Sequence, residues 1–392
     1  MSRFAIVYDF WKFPQLKQRI YFLKLKEYIT GVNGLRAIAA TAVLLSHVSD
    51  NWGIFKLGWI GVDMFFVISG FLITKILIEN HKSKNYFKAF YLNRTLRIFP
   101  VYFLVVIPLV VFHLYKNAVP AYVPFSYLCY LQNSFALNYG WLSGLGHTWT
   151  LAIEEQFYLF FPVAIFLIPR KYLMKTFIAV IATIVMLRFF FFLNRFPIYY
   201  QSVFTISRMD GFLLGGLIAL IATEGLSIPK EKWNVVFNIL GFASFISLCV
   251  MIIYFGNSAT GFWNKVILGF DNFKVKSNAM SAFGHTKYTL LALLFASLLG
   301  KIAFQTSNFS IFVANFLERP FMRKIGEMSY GIYLYHYIYV SFFRYVFHLN
   351  ECNPFLRIVL IVIIIVATYA TAYLSLLYFE KPILRFKKSY LY

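Results

Sequence analysis

The stretch NGLRAIAATAVLLSH, Asn33–His47, decides how this chain is read. It is too apolar for a surface loop, yet it opens on Arg36 and closes on His47. Eleven helical steps of about 100° bring both side chains onto one face, roughly 16 Å apart along the axis. An ionisable pair on one face of a membrane helix is costly unless that face lines a protein interior or a water-filled path. The helix is therefore one wall of an internal chamber, and the rest of the chain builds the chamber around it.

Composition agrees. The chain of 392 residues is 60% hydrophobic and 13% charged, where a soluble domain carries about a quarter charged residues. Phe, Tyr and Trp number 47, 28 and 7. The formal charge of +22 raises the question of nucleic acid. The basic residues lie between apolar blocks, however, so the positive-inside rule explains them and no nucleic-acid partner is expected. Cys129, Cys249 and Cys352 have no metal-ligand spacing, and no metal is expected.

Residues 1–30 lack the continuous apolar core and small-residue site of a cleaved signal. Leu16, Ile20 and Leu23 recur at helical spacing among Lys17, Arg19, Lys24 and Lys26. That pattern predicts an amphipathic segment on the cytoplasmic membrane surface.

Ten apolar segments follow, each near the length needed to cross the hydrocarbon core. They cover about 32–49, 58–79, 98–115, 149–168, 175–193, 205–223, 234–255, 286–306, 326–347 and 355–379. The fold class is all-α: a polytopic membrane protein of about ten transmembrane helices around a central cavity. With the N-terminus inside, 23 Lys and Arg fall in inside segments and 7 in outside loops. Both termini are then expected in the cytoplasm. The loops 116–148 and 256–285 are long, and 122–137 has the character of a re-entrant segment.

Polar residues punctuate these segments. In GVDMFFVISGFLIT, Asp63 lies near the outer end, either capping the helix start or serving the chamber. Ser69-Gly70 permits close helix approach. In NRTLRIFPVY, Arg94 and Arg97 are neighbours on a helical turn, at a helix start marked by Pro100. Two guanidiniums at a cytoplasmic mouth suit phosphate, because each offers a planar fork of donors that keeps its charge. Positive-inside anchoring is the competing reading.

In GHTWTLAIEEQFYLFFP, Glu154 and Glu155 point about 100° apart, so one faces a given cavity, and Glu154 is chosen. An ion pair of Glu154 with Arg188 or Arg208 is the structural alternative. In SRMDGFLLGG, Arg208 and Asp210 pair internally or contact a ligand. GEMSYGIYLYHYIYV places His336 in mid-helix. His147 is loop-borne and near Glu154.

These motifs, with the closing YFEKPILR, occur in order over about residues 31–388. Together they resemble the acyltransferase-3 family, multi-pass bacterial enzymes that O-acylate cell-surface carbohydrates. The resemblance implies an O-acetyltransferase in the bacterial inner membrane. Acetyl-CoA is the implied donor and co-substrate on the cytoplasmic side. The implied acceptor is a lipopolysaccharide O-antigen, capsule or exopolysaccharide sugar, lipid-linked or free, with peptidoglycan also open. The positions matching Arg36 and His47 are critical in that family, and those matching Arg94 and Arg97 are thought to hold the CoA. Many relatives carry an esterase-like domain after the membrane part; none is expected before Tyr392.

A sugar hydroxyl needs a general base, and histidine suits that task. The expected assignment makes His47 the base or the acyl-carrying nucleophile, with Arg36 stabilising negative charge or guiding the pantetheine arm. Glu154 or Asp63 sets the imidazole tautomer, and Asp63, Arg208, Asp210 and His336 contact the acceptor. A transporter for a glycan or small anion uses the same residue types and remains open at this point. So does a structural role in an export complex.

Overall fold

The computed structural model describes residues 30–49, 53–117, 119–135, 140–196, 199–224, 229–256, 282–349 and 351–386. The predicted amphipathic segment 1–30 and most of loop 256–285 lie outside them.

The described residues form helices and connecting turns, with no strand among them. Ten helices are long: α1 Val32–Val48, α2 Gly61–Glu79, α3 Tyr86–Lys116, α4 Trp149–Leu167 and α5 Arg170–Leu193 come first. Then follow α6 Met209–Glu224, α7 Lys230–Gly256, α8 Ala282–Phe304, α9 Pro320–Phe347 and α10 Pro354–Ser375. Each predicted segment finds its helix. Eight helical stretches are long and apolar enough to cross a membrane. The other two long helices are α1, of 17 residues, and α9, which is richer in polar residues. These two pack against each other, and they carry His47 and His336. Polar helices are tolerated in a membrane bundle where neighbouring helices cover them.

Close approach of α1 to α9 depends on Gly326. A Cβ built there would lie 2.0 Å from the Asn33 carbonyl oxygen. The Ser69-Gly70 expectation also holds, because a Cβ at Gly70 would lie 1.9 Å from the Phe212 carbonyl. Helix α2 thereby crosses α6 backbone to backbone, as small residues allow in membrane bundles. On the outside of the bundle, α5, α7 and α10 expose Ile178, Met186, Phe190, Ile239, Phe242, Val362 and Val366. An apolar girdle of this kind is what a lipid-facing surface requires.

One boundary differs from the sequence reading. Helix α3 starts at Tyr86 rather than near 98, so Pro100 sits inside it and does not mark its start. Arg94 and Arg97 are consequently on the helix wall, and both are half-buried. The error has a physical source: polar residues at 86–97 read as loop when they face a protein interior. The segment after α3 turns back into the bundle as short helices Tyr122–Leu128 and Gln132–Phe135. Buried amides anchor it. Gln132 Nε2 donates to the Thr148 carbonyl at 2.8 Å, and Asn133 Nδ2 donates to Thr205 Oγ1 at 2.8 Å.

Candidate active site

The polar interior has two levels along α1. The lower level gathers around Arg36, whose electrostatic neighbours are Arg97, Tyr158, Glu154 and Arg94. Arg94 lies 5.3 Å from the centre of the Tyr158 ring. Among the described residues, no ion pair or hydrogen bond ends on the guanidinium of Arg36, Arg94 or Arg97. Glu154 accepts instead from Ser69 Oγ at 3.3 Å and from the Tyr158 hydroxyl at 3.5 Å. Three cations near one another, without an ion-pair partner, form a donor set suited to a multiply charged anion.

The upper level holds three imidazoles. His47 Nδ1 lies 3.1 Å from His336 Nε2 and 3.1 Å from the Val43 carbonyl. His336 Nδ1 lies 3.1 Å from the Ile332 carbonyl. A carbonyl only accepts, so His336 carries its proton on Nδ1 and its Nε2 accepts. His47 then carries its proton on Nδ1, which leaves the lone pair of its ring on Nε2. That is the tautomer a base requires. The third imidazole, His147, is 3% exposed and precedes α4 in a tight turn, Gly146–Thr148. Its ring centre is 5.0 Å from that of His336 and 5.0 Å from that of Tyr337. Among the described residues, no set of three His, Cys, Asp or Glu side chains is arranged to hold a metal ion.

His47 and His147 both line a cavity of about 270 Å³. Aromatic rings of Trp59, Trp149, Tyr288 and Tyr333 form much of its wall, with Asp63 and Arg208 on the same lining. Asp63 accepts from Arg208 at 2.6 Å, with both side chains buried. Arg208 also lies 3.8 Å from the centre of the Tyr288 ring, a cation–π contact.

These placements correct several sequence assignments. Arg208 pairs with Asp63, not with its near neighbour Asp210. Asp210 is held by Arg188 and by Thr289, whose hydroxyl donates at 2.7 Å, and it is absent from the cavity lining. Neither arginine pairs with Glu154. Glu154 belongs to the arginine level, so it is not the group that sets the His47 tautomer. Asp63 is engaged by Arg208. The groups that meet His47 Nδ1 are Val43 and His336. His336 therefore touches His47 and does not appear in the cavity lining.

Comparison with known proteins fits this layout. Residues 29–377 match the model of the acyltransferase domain. The chain belongs to that acyltransferase family. It is 28% identical over 387 residues to the peptidoglycan O-acetyltransferase OatA of Listeria monocytogenes, a match covering 91% of this chain and 56% of that protein. It is also 28% identical over 379 residues to the O-acetyltransferase OatA of Staphylococcus aureus, covering 91% of this chain and 57% of that protein. The chain thus spans about half the length of the curated relatives it matches. No solved structure matches it.

Within this acyltransferase domain the sequence reading passed over His147. Read from sequence, it is a loop residue near Glu154 with no role. The signal available was GHTWTLAIEE, which places it about two turns before two intramembrane carboxylates. What sequence spacing does not show is the contact with Tyr333 on α9, whose hydroxyl donates to the His147 carbonyl at 3.0 Å.

Proposed function

We propose that this acyltransferase-family chain moves an acetyl group from acetyl-CoA, its co-substrate, to a hydroxyl of a cell-wall carbohydrate. The donor enters from the cytoplasm, the acceptor lies on the outer side of the membrane, and both termini are cytoplasmic. The excess of Lys and Arg in the segments counted as inside supports that orientation. The relatives named as O-acetyltransferases favour acetyl, and the name of the Listeria protein favours peptidoglycan over lipopolysaccharide or capsule.

One observation carries the reading: the hydrogen-bond order Ile332–His336–His47 puts a basic imidazole nitrogen at a cavity rich in aromatic rings. Such rings suit the apolar faces of sugar rings, and Asp63 and Arg208 suit their hydroxyls. Arg94 and Arg97, with Arg36 beside them, are the residues that would hold the CoA phosphates. The thioester supplies a carbonyl carbon open to attack. His47 Nε2 serves either route, as base toward the acceptor hydroxyl or as nucleophile that carries the acetyl group. Arg36 lies roughly 16 Å below His47 along α1, so its part is with the donor and not with the reacting carbonyl. Transport alone gives no use for a base of defined tautomer.

The test uses the full chain in nanodiscs with labelled acetyl-CoA and soluble peptidoglycan glycan strands. Release of CoA and labelled ester on the glycan are expected, both lost in His47→Gln. Donor binding without any thioester cleavage in the wild type, across several acyl-CoAs, would overturn the reading in favour of transport.

A further inference from the structure

The mechanism above leaves one buried imidazole unused. Neither ring nitrogen of His147 has a hydrogen-bond partner within 3.5 Å among the described residues, although the side chain is almost wholly buried and the backbone of Tyr333 and Leu334 on α9 is near enough to act on the ring. A buried imidazole without a close partner is unfavourable, and a group bound in the cavity can supply one. The ring lines the cavity that His47 lines.

The ring is also braced. Tyr333 donates to the His147 carbonyl at 3.0 Å, and Thr150 donates to the same oxygen at 3.3 Å. The two hydroxyls lie 2.6 Å apart. Helices α4 and α9 thus clamp the turn from both sides. His336 and Tyr337 flank the ring, and the same two rings flank His47 on their other side, each at 5.1 Å between centres. His47 and His147 are opposite corners of a four-ring cluster. The other strong donor on the lining, Arg208, gives one nitrogen to Asp63 and is assigned with it to the acceptor hydroxyls.

We infer that His147 is a further catalytic residue, whose ring N–H hydrogen-bonds the acyl carbonyl oxygen as it becomes an oxyanion. The assignment rests on the acyltransferase reading. In the direct route the acceptor O–H bond breaks and its proton passes to His47 Nε2. The new C–O bond forms at the acyl carbon, whose π pair moves onto the oxygen held by His147. That pair returns as the C–S bond breaks, and CoA leaves as thiolate, which takes the proton from His47. His147 keeps its own proton throughout. A preorganised donor at that oxygen contributes about 10²–10³ in rate where it has been removed from other acyl-transfer enzymes.

A donor that keeps its proton can be replaced by an amide, and a base cannot. The test compares full-length His147→Gln, His147→Asn, His147→Leu and His47→Gln in nanodiscs, with labelled acetyl-CoA and soluble glycan strands. Acetyl-CoA binding and size-exclusion profile are read beside CoA release. Expected is wild-type donor binding in all four, at least a hundredfold loss of turnover in His147→Leu, and recovery to within tenfold of wild type in either Gln or Asn. His47→Gln stays inactive. Three results overturn the assignment: His147→Leu within tenfold of wild type, both amides as inactive as leucine, or loss of donor binding and monodispersity in His147→Leu. If the wild type itself releases no CoA, the acyltransferase reading fails, and this assignment with it.

Discussion

His336 Nε2 meets His47 Nδ1 at 3.1 Å, across 289 positions of sequence, and this contact settles which nitrogen of His47 is basic. The proton on His336 Nδ1 is fixed by the Ile332 carbonyl one turn earlier. His336 acts through His47, in the way that a partner on one imidazole nitrogen sets the role of the other.

On the proposed function, His336 is a positioning residue. Replacing it with Phe removes the acceptor at Nε2 while keeping a ring of similar bulk. Turnover should fall about 10²-fold, within the range contributed by acid–base catalysis. The KM for acetyl-CoA should hold, because the arginine level is untouched. A purely structural role would instead lower turnover and donor binding together, so the split between kcat and KM decides.

Arg94 and Arg97 give a prediction at the other level. Each lacks an ion-pair partner among the described residues, so removing them breaks no direct salt bridge. Arg94→Ala/Arg97→Ala should fold, elute normally and lose acetyl-CoA binding by at least tenfold. Arg94→Lys/Arg97→Lys should recover only part of it, since a lysine offers a point charge where arginine offers a planar fork. Isothermal titration with acetyl-CoA and with dephospho-CoA measures both effects.

Part of the candidate site's geometry is legible in the sequence, and the reason it stops where it does is specific. Arg36 and His47 were found because their spacing lies within one helix, where 3.6 residues per turn converts sequence distance into geometry. Arg94 and Arg97 were found for the same reason. Partners on different helices follow no such rule. Arg208 and Asp210 are two residues apart, yet each pairs elsewhere: Arg208 with Asp63 and Asp210 with Arg188. Crossing geometry decides those choices, and it depends on contacts such as Gly70 on the Phe212 carbonyl. His147 was missed because its significance comes from α9, which contributes Tyr333, His336 and Tyr337 around it.

The crossing itself is testable at Gly326. A methyl group there would stand 2.0 Å from the Asn33 carbonyl, and backbone on both sides leaves no flexible side chain to yield. Gly326→Val should separate α1 from α9 and with them His47 from His336. Monodisperse yield should fall sharply, and any folded fraction should lack acetyl transfer while the α2–α6 crossing stays intact. Normal yield with normal turnover would mean that the two helices approach by another route.

The Asp63–Arg208 pair separates stability from substrate contact. Both side chains are buried, and removing one partner of such a pair costs about 3–5 kcal/mol because a charge is left without its counterion. Asp63→Ala should therefore lower the thermal midpoint in detergent. Arg208→Met added to it removes the stranded charge, and a buried pair replaced on both sides by apolar groups is often no less stable than the original. The double variant should regain most of the midpoint. Acetyl transfer to glycan should not return with it if, as proposed, the carboxylate and guanidinium on the cavity wall receive the acceptor hydroxyls. Acetyl-CoA binding should be unaffected in both variants. Recovery of stability together with full transfer would assign the pair to architecture alone and move acceptor recognition to the aromatic wall of Trp59, Trp149 and Tyr288.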